Sequence, residues 1–242
     1  AIEALSSQND DRIKTLLLPL LNDEDSDVRL ATINALAKFD DPDVVTGLGS
    51  VLTDKERSVR QASVEVLSSR DDNQVKTLLL PVLKDEDWDI RLAAVNALAK
   101  FDDSDVIKEL VSAAMDEDNS VRLAVIEALS SSDAEEVKTV LLSVLDDKDS
   151  DIRLAAVNAL TKFDDPDVIT GLGSVVTDKD YSVRLAAVEE LISRDDESVI
   201  EPLLLSLRNE DIRICKKSLK ALITLTKFDD LKIVHGLESV IK

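Results

Sequence analysis

The sequence predicts an all-α protein, a solenoid of about 16 helices stacked as hairpins, and three observations carry that expectation. The phrase around Arg29 returns nearly letter for letter at Arg60, Arg91, Arg122, Arg153 and Arg184, a fixed step of 31 residues that marks a repeat architecture. Within each step two runs of helically spaced apolar residues flank a turn rich in acids. The composition has 44% hydrophobic residues, mostly aliphatic, with one Trp, one Tyr and only five Gly, which argues against a sheet protein built on tight turns.

The first helix of a repeat, here called A, is legible in FDDPDVVTGLGSVLTD. Pro42 follows Asp41, so Asp41 is expected as an N-cap and Pro42 as the first helical residue, where the missing N–H costs nothing. Val44, Leu48, Val51 and Leu52 then share one face. The second helix, B, is expected to start two residues before each arginine, with Asp27, Ser58, Asp89, Ser120, Asp151 and Ser182 as caps. Its apolar face is Val28, Ile33, Leu36 and Phe39, and alanines at 31, 62, 93, 124, 155 and 186 permit close helix contact.

A longer period lies over the 31-residue step. Repeats containing Arg29, Arg91 and Arg153 run on as NALAKFDD or NALTKFDD, and the others as EVLSSRDD, EALSSSDA or EELISRDD, as if pairs had been duplicated. Pro19 and Pro81 fall in the last turns of A helices and predict kinks. Glycines 47, 49, 171 and 173 each cost about 1 kcal/mol in a helix interior and therefore call for compensating close packing. After Arg184 the step is expected to shorten to 29, at Arg213, with helix B lengthened by about five residues, as at a terminal cap.

Repeats that contact only their neighbours share one elongated core, so residues 1–242 are expected to form a single repeat domain. Both ends fall inside a repeat, since AIEALSS at residues 1–7 matches Val125 to Ser131, and a piece of a larger protein is expected. Fifty acidic against 29 basic residues give a net charge of −21, a field that repels nucleic acid and attracts basic partners. No apolar run is long enough for a membrane span. The single cysteine, Cys215, rules out an internal disulfide framework and is compatible with a reducing compartment such as the cytoplasm.

The pattern DxDxxVRxAAxxAL, followed by an acidic turn and VxxLxxxL, resembles the HEAT-like repeats of the bilin-lyase type over essentially the whole chain. The resemblance implies a right-handed superhelix with B helices on the concave face and A helices on the convex one. It also implies that the turn acids Asp23, Asp54, Asp85, Asp116, Asp147 and Asp178 face the arginine row, with charge lost at Asn209. Such repeats serve scaffolds, chromophore-lyase subunits, metallo-hydroxylases and DNA-repair enzymes, so fold alone does not assign function.

The turns DEDSDV, DEDWDI and DKDSDI match the first half of a calcium loop, yet Val28, Ile90 and Ile152 stand where Gly is required. Asn34, Asn96 and Asn158 stand where a bidentate Glu is required, so the acids are expected as caps. His235 is the only histidine and cannot supply the several His-Glu pairs of iron-binding relatives. Cys215 has cationic neighbours but no histidine near it in sequence. No catalytic, metal or cofactor residue is therefore assigned, and no cofactor is expected.

What remains is a surface. One residue after each repeat arginine stand Leu30, Gln61, Leu92, Leu123, Leu154 and Leu185; five after it stand Asn34, Glu65, Asn96, Glu127, Asn158 and Glu189. Positions four apart share a helix side, so an apolar row runs beside a row of alternating amide and acid. The leucines can equally fill gaps between hairpins, whereas the polar row cannot be core. Trp88 and Tyr181, each three residues before an arginine, are expected in A-to-B turns as contact residues or as rings lying over a helix end. The reading is a non-enzymatic scaffold that binds a basic or extended protein segment along helix B. The alternative implied by the resemblance is a subunit of a bilin lyase or chaperone-like complex.

Overall fold

The computed structural model describes residues 11–70, 72–194, 196–225 and 230–241. Every regular element among them is helical, in A and B helices joined by short turns. The A series is α1 (Asp11–Leu17), α3 (Pro42–Ser50), α5 (Asn73–Leu79), α7 (Ser104–Ala113), α9 (Glu135–Ser143), α11 (Pro166–Ser174), α13 (Ile200–Ser206) and α15 (Asp230–Ile241). The B series is α2 (Ser26–Leu36), α4 (Arg57–Ser68), α6 (Trp88–Leu98), α8 (Asn119–Leu129), α10 (Ser150–Ala159), α12 (Tyr181–Ser193) and α14 (Ile212–Leu225). These make fifteen α-helices among the described residues, and the B-type segment expected at residues 1–7 lies outside them.

The chain divides into two compact units, residues 1–128 and 129–242. In the first, α2, α4 and α6 stack as one layer and α1, α3 and α5 as the other. In the second, α10, α12 and α14 form the B layer and α11, α13 and α15 the A layer. The core lies between the layers and repeats with the step: Ile33, Val64, Val95, Ile126, Val157 and Val188 are all buried, as are Val44, Val106 and Val168 on the A side. The expected faces hold, with Val28 only half-buried.

Asp41 caps α3 as expected, its carboxylate accepting the Asp43 N–H at 2.8 Å ahead of Pro42. The B-helix caps lie elsewhere than expected. Helix B begins one residue earlier, and the cap is the acid ahead of it: Asp25 accepts from Asp27 N–H at 2.9 Å, Asp149 from Asp151 N–H at 2.9 Å, and Asp180 from Ser182 N–H at 2.8 Å. Asp27, Ser58 and their equivalents are thus second helical residues, and Trp88 and Tyr181 are first helical residues rather than turn residues. A carboxylate held in an Asx turn outcompetes the later Asp or Ser because it reaches the free N–H two residues on.

Pro19 and Pro81 do not kink a continuous helix; α1 and α5 instead run on as 3₁₀ segments, Leu18–Asn22 and Leu80–Lys84. Helix α9 ends likewise in Val144–Asp146 without a proline, so the tightened exit belongs to the repeat and proline only reinforces it. The glycines are explained by contact: a methyl at Gly47 would sit 2.9 Å from Leu18 and Leu21, and one at Gly49 2.7 Å from Leu78. Neighbouring A helices approach through these positions.

The step does not shorten after Arg184. Helix α14 starts 31 residues after α12, and Cys215 N–H donates to Asp211 O as Arg29 N–H donates to Asp25 O. Cys215 therefore stands at the repeat-arginine position, while Arg213 is the equivalent of Asp27. Gly47 follows Arg29 by 18 residues and Gly236 follows Cys215 by 21, so the last B segment is longer by three residues, not five.

Candidate protein-binding face

The repeat arginines are buried connectors. Arg29, Arg60, Arg91 and Arg153 each place Nε and Nη2 on the two carboxylate oxygens of the next turn's aspartate, Asp54, Asp85, Asp116 and Asp178, at 2.7 to 3.0 Å. Nη1 of each donates back to the carbonyl of its own turn, as from Arg91 to Asp85 O at 2.9 Å. The arginine side chains are 4 to 7% exposed and the aspartates 8 to 10%, so each bridge ties two turns together out of solvent. Burial pushes the Asp54, Asp116 and Asp178 carboxyls up, but the guanidinium and a turn N–H outweigh it and hold them below the usual carboxylate range. The calcium-like acids are thereby used as caps and bridge partners. Among the described residues no three metal-type side chains converge.

Two further connections escape a reading of single repeats. Lys14, Lys76 and Lys138 on A helices α1, α5 and α9 bridge to the cap aspartates Asp41, Asp103 and Asp165 of the next A helix. The equivalent positions on α3, α7 and α11 are Val45, Ile107 and Ile169, which gives the two-repeat alternation a physical cause. At the B-to-A turns, cations reach back to the carbonyl ends of the preceding B helix: Arg70 to Phe39 O at 2.8 Å, Lys100 to Ser68 O at 2.9 Å, Lys162 to Ser130 O at 2.6 Å and Arg194 to Phe163 O at 2.8 Å. Such cations oppose the negative helix end. Burial pushes the Lys162 ammonium down, a desolvation cost of that placement.

Leu30, Gln61, Leu92 and Leu123 in the first unit, and Leu154 and Leu185 in the second, are half-buried. Asn34, Glu65, Asn96 and Glu127, then Asn158 and Glu189, are exposed. Glu65 accepts a hydrogen bond from Gln61 Nε2 at 2.9 Å, and Glu189 pairs with Lys217 at 2.8 Å. Trp88 is 48% exposed, but Tyr181 is half-buried, with the Arg213 guanidinium 4.7 Å and the Arg184 guanidinium 5.9 Å from its ring centroid. Of the two rings, Trp88 is thus the more exposed.

Neither Cys215 nor His235 belongs to a converging group of three His, Cys, Asp or Glu side chains among the described residues. Cys215 donates its thiol to Asn209 O at 3.1 Å and to Leu207 O at 3.4 Å, repeating in small form the bond that Arg29 makes to its own turn. His235 is exposed on α15 beside a groove of about 420 Å³ lined by Glu201, Leu205, Arg208 and Lys232. No helix among the described residues is long and apolar enough to cross a membrane.

No curated protein matches the chain. Among solved structures, it is similar to the Escherichia coli YibA protein, with a TM-score of 0.56 at 22% identity, covering 100% of this chain and 95% of that one. It is similar to importin beta at 0.55 and 14% identity, covering 93% of this chain and 36% of that one. A third similarity is to the complex of CpcE and CpcF of phycocyanin lyase from Nostoc sp. PCC7120, at 0.49 and 18% identity, covering 93% and 94%. These likenesses concern the fold alone. A family profile of HEAT repeats matches residues 1–68, 75–160 and 139–223, which together take in most of the sequence, and with its 31-residue hairpins bridged by arginine and aspartate the chain belongs to the HEAT-repeat family.

Proposed function

We propose that the chain is a non-enzymatic interaction scaffold that receives a basic or extended protein segment along the Asn/Glu row of its B helices, the concave side in HEAT-type stacking. The observation that carries this reading is the exposure of every member of that row beside half-buried leucines. Apart from the Glu189–Lys217 pair, the arginine and lysine bridges between repeats described above are made at the turns and between A helices, away from this row. An Asn amide both donates and accepts, and so matches the N–H and C=O of an extended backbone, while Glu takes a Lys or Arg. A charge of −21 draws a basic segment in.

The test is a salt series of dissociation constants for a partner captured with the full chain. Replacing Glu65, Glu127 and Glu189 by Gln preserves shape and is expected to weaken binding, most at low salt. Glu189→Gln alone should contribute less than Glu65→Gln, because Lys217 already neutralises Glu189 while Glu65 is bonded only to the neutral Gln61. Asp43→Asn, Asp105→Asn and Asp167→Asn on the A helices are the control; equal losses from the two sets would assign binding to net charge and sink the face.

A further inference from the structure

Trp88 and Tyr181 occupy the same position of the array, the first residue of α6 and of α12, 93 residues apart. Their rings meet different surroundings. The Arg213 guanidinium lies 4.7 Å from the Tyr181 ring centroid and is held by Asp211, whose Oδ2 accepts from Arg213 Nη2 at 2.7 Å. Asp211 Oδ1 accepts the backbone N–H of Arg213 at 2.8 Å, as a cap. The cation is thus held by an aromatic ring and a carboxylate together, and both attract a guanidinium.

Three repeats earlier, Trp88 stands for Tyr181 and Asp118 for Asp211, but Ser120 stands for Arg213 and carries no cation. The turn of Asp118 is fixed beside the start of α6, because Arg91 is bonded to both carboxylate oxygens of Asp116 at 2.7 Å. Asp118 makes the same kind of cap as Asp211: its Oδ1 accepts from Ser120 N–H at 2.8 Å and from Val121 N–H at 3.3 Å. Neither bond uses Oδ2, the oxygen that takes Arg213 Nη2 in the second unit. Trp88 is 48% exposed, and Ser120 is exposed. Arg57, at the equivalent position one repeat before Trp88, is already paired with Asp87 and Asp89. The same two turns add Glu86 and Glu117, with side chains 82 and 86% exposed, so the surroundings of the ring are acidic.

We propose that Trp88 and Asp118 form a site for an arginine side chain of a partner protein, its guanidinium lying on the indole and donating to Asp118 Oδ2 as Arg213 does between Tyr181 and Asp211. A guanidinium fits better than an ammonium because it is planar and weakly hydrated, so it stacks on a ring while its edge N–H groups reach a carboxylate. The indole offers a cation a stronger face than the phenol ring does. Glu86 and Glu117 favour a segment with further cations beside that arginine. This site lies at the A-to-B turns, away from the Asn/Glu row, and stands without it.

The chain has one tryptophan, so its emission reports on this site directly. The experiment titrates the full chain with an end-blocked Gly-Gly-Arg-Gly-Gly peptide, up to about 10 mM and at about 0.15 M salt, against the same peptide with Lys. A saturable change in emission is expected, with the arginine peptide bound at least about threefold more tightly than the lysine one. Asp118→Asn keeps a capping side chain and should weaken binding at least about threefold. Ser120→Arg supplies the cation from within, so it should change the emission of the free protein and abolish the response to the peptide. Ser120 is exposed, and circular dichroism should be unchanged. No saturable change, equal binding of the two peptides, or an intact response in Ser120→Arg would overturn the proposal. So would equal losses from Asp118→Asn and from the control set Asp43→Asn, Asp105→Asn and Asp167→Asn, which would assign binding to net charge. A loss on replacing Glu65 and Glu127 by Gln, with Asp118→Asn without effect, would move the arginine to the Asn/Glu row and likewise overturn this site.

Discussion

Asn209 and Cys215 occupy the two places where the arginine bridge would continue, and neither can make it. In the turns of Asp54, Asp85, Asp116 and Asp178 the aspartate offers one oxygen to the N–H two residues on and both oxygens to the arginine behind; Asn209 Oδ1 still accepts from Asp211 N–H at 2.9 Å. Its amide nitrogen is a donor and cannot take the Arg184 Nε proton, and Arg184 Nε is buried without a partner. Asn209→Asp is therefore expected to stabilise the protein by about 1 kcal/mol, supplying an acceptor to a buried donor. No rise in the denaturant midpoint would show that the arginine finds its compensation elsewhere. The converse is Arg91→Met, which strands Asp116 and the Asp85 carbonyl, both bonded in the native state. A loss of about 3 kcal/mol is expected from chemical denaturation, the size typical of breaking one side of a buried ion pair. A loss below about half a kcal/mol would put the bridge in the class of exposed pairs.

Helix ends are where local chemistry decides stability, and the B helices offer an internal comparison. Asp180 caps α12 with bonds to the Ser182 and Val183 N–H groups, whereas Glu56, at the same place before α4, makes no cap bond. Asp87, at that place before α6, makes no cap bond either and accepts from Arg60 at 2.7 Å, whereas in Glu56 one extra methylene takes the carboxylate past the geometry that Asp180 satisfies. Asp180→Ala is expected to cost about 1 kcal/mol and Glu56→Asp to stabilise by a similar amount, both read as shifts in thermal midpoint. Equal and negligible shifts would mean that tertiary packing, not the cap, holds the helix start.

Helical hairpins that touch only their neighbours let the chain be shortened, but the alternation dictates by how much. Deleting residues 54–84 removes one step and should leave a folded, cooperatively unfolding array. It also removes Lys76, the partner of Asp103, and sets Gly49 opposite the position of Glu109 in place of Leu78. Deleting residues 54–115 removes two steps and both Lys76 and Asp103, so the alternation is kept. The longer deletion is expected to unfold at the higher temperature despite its smaller size. A lower midpoint for the longer deletion would mean that repeat number outweighs register.

The repeat step, the A and B faces, the Asp41 cap and the close approach at the glycines were all legible in the sequence, because each follows from spacing or from the conformational limits of Pro and Gly. The polar row was legible too, since Asn and Glu at a fixed offset cannot be core. The B-helix caps were not, because Asp, Ser and Glu crowd each turn and only the backbone path tells which carboxylate reaches a free N–H. The bridges from Lys14, Lys76 and Lys138 join residues 27 apart, and nothing in one repeat shows which aspartate lies within reach. Register at the end of the array is the sharpest case. Arg213 looks like the next repeat arginine by residue type, yet the hydrogen-bonded turn puts Cys215 in its place. Residue type and spacing determine which helices form and which face is apolar; only tertiary structure decides which of several chemically equivalent groups meet, because that depends on distances set by the packing of neighbours.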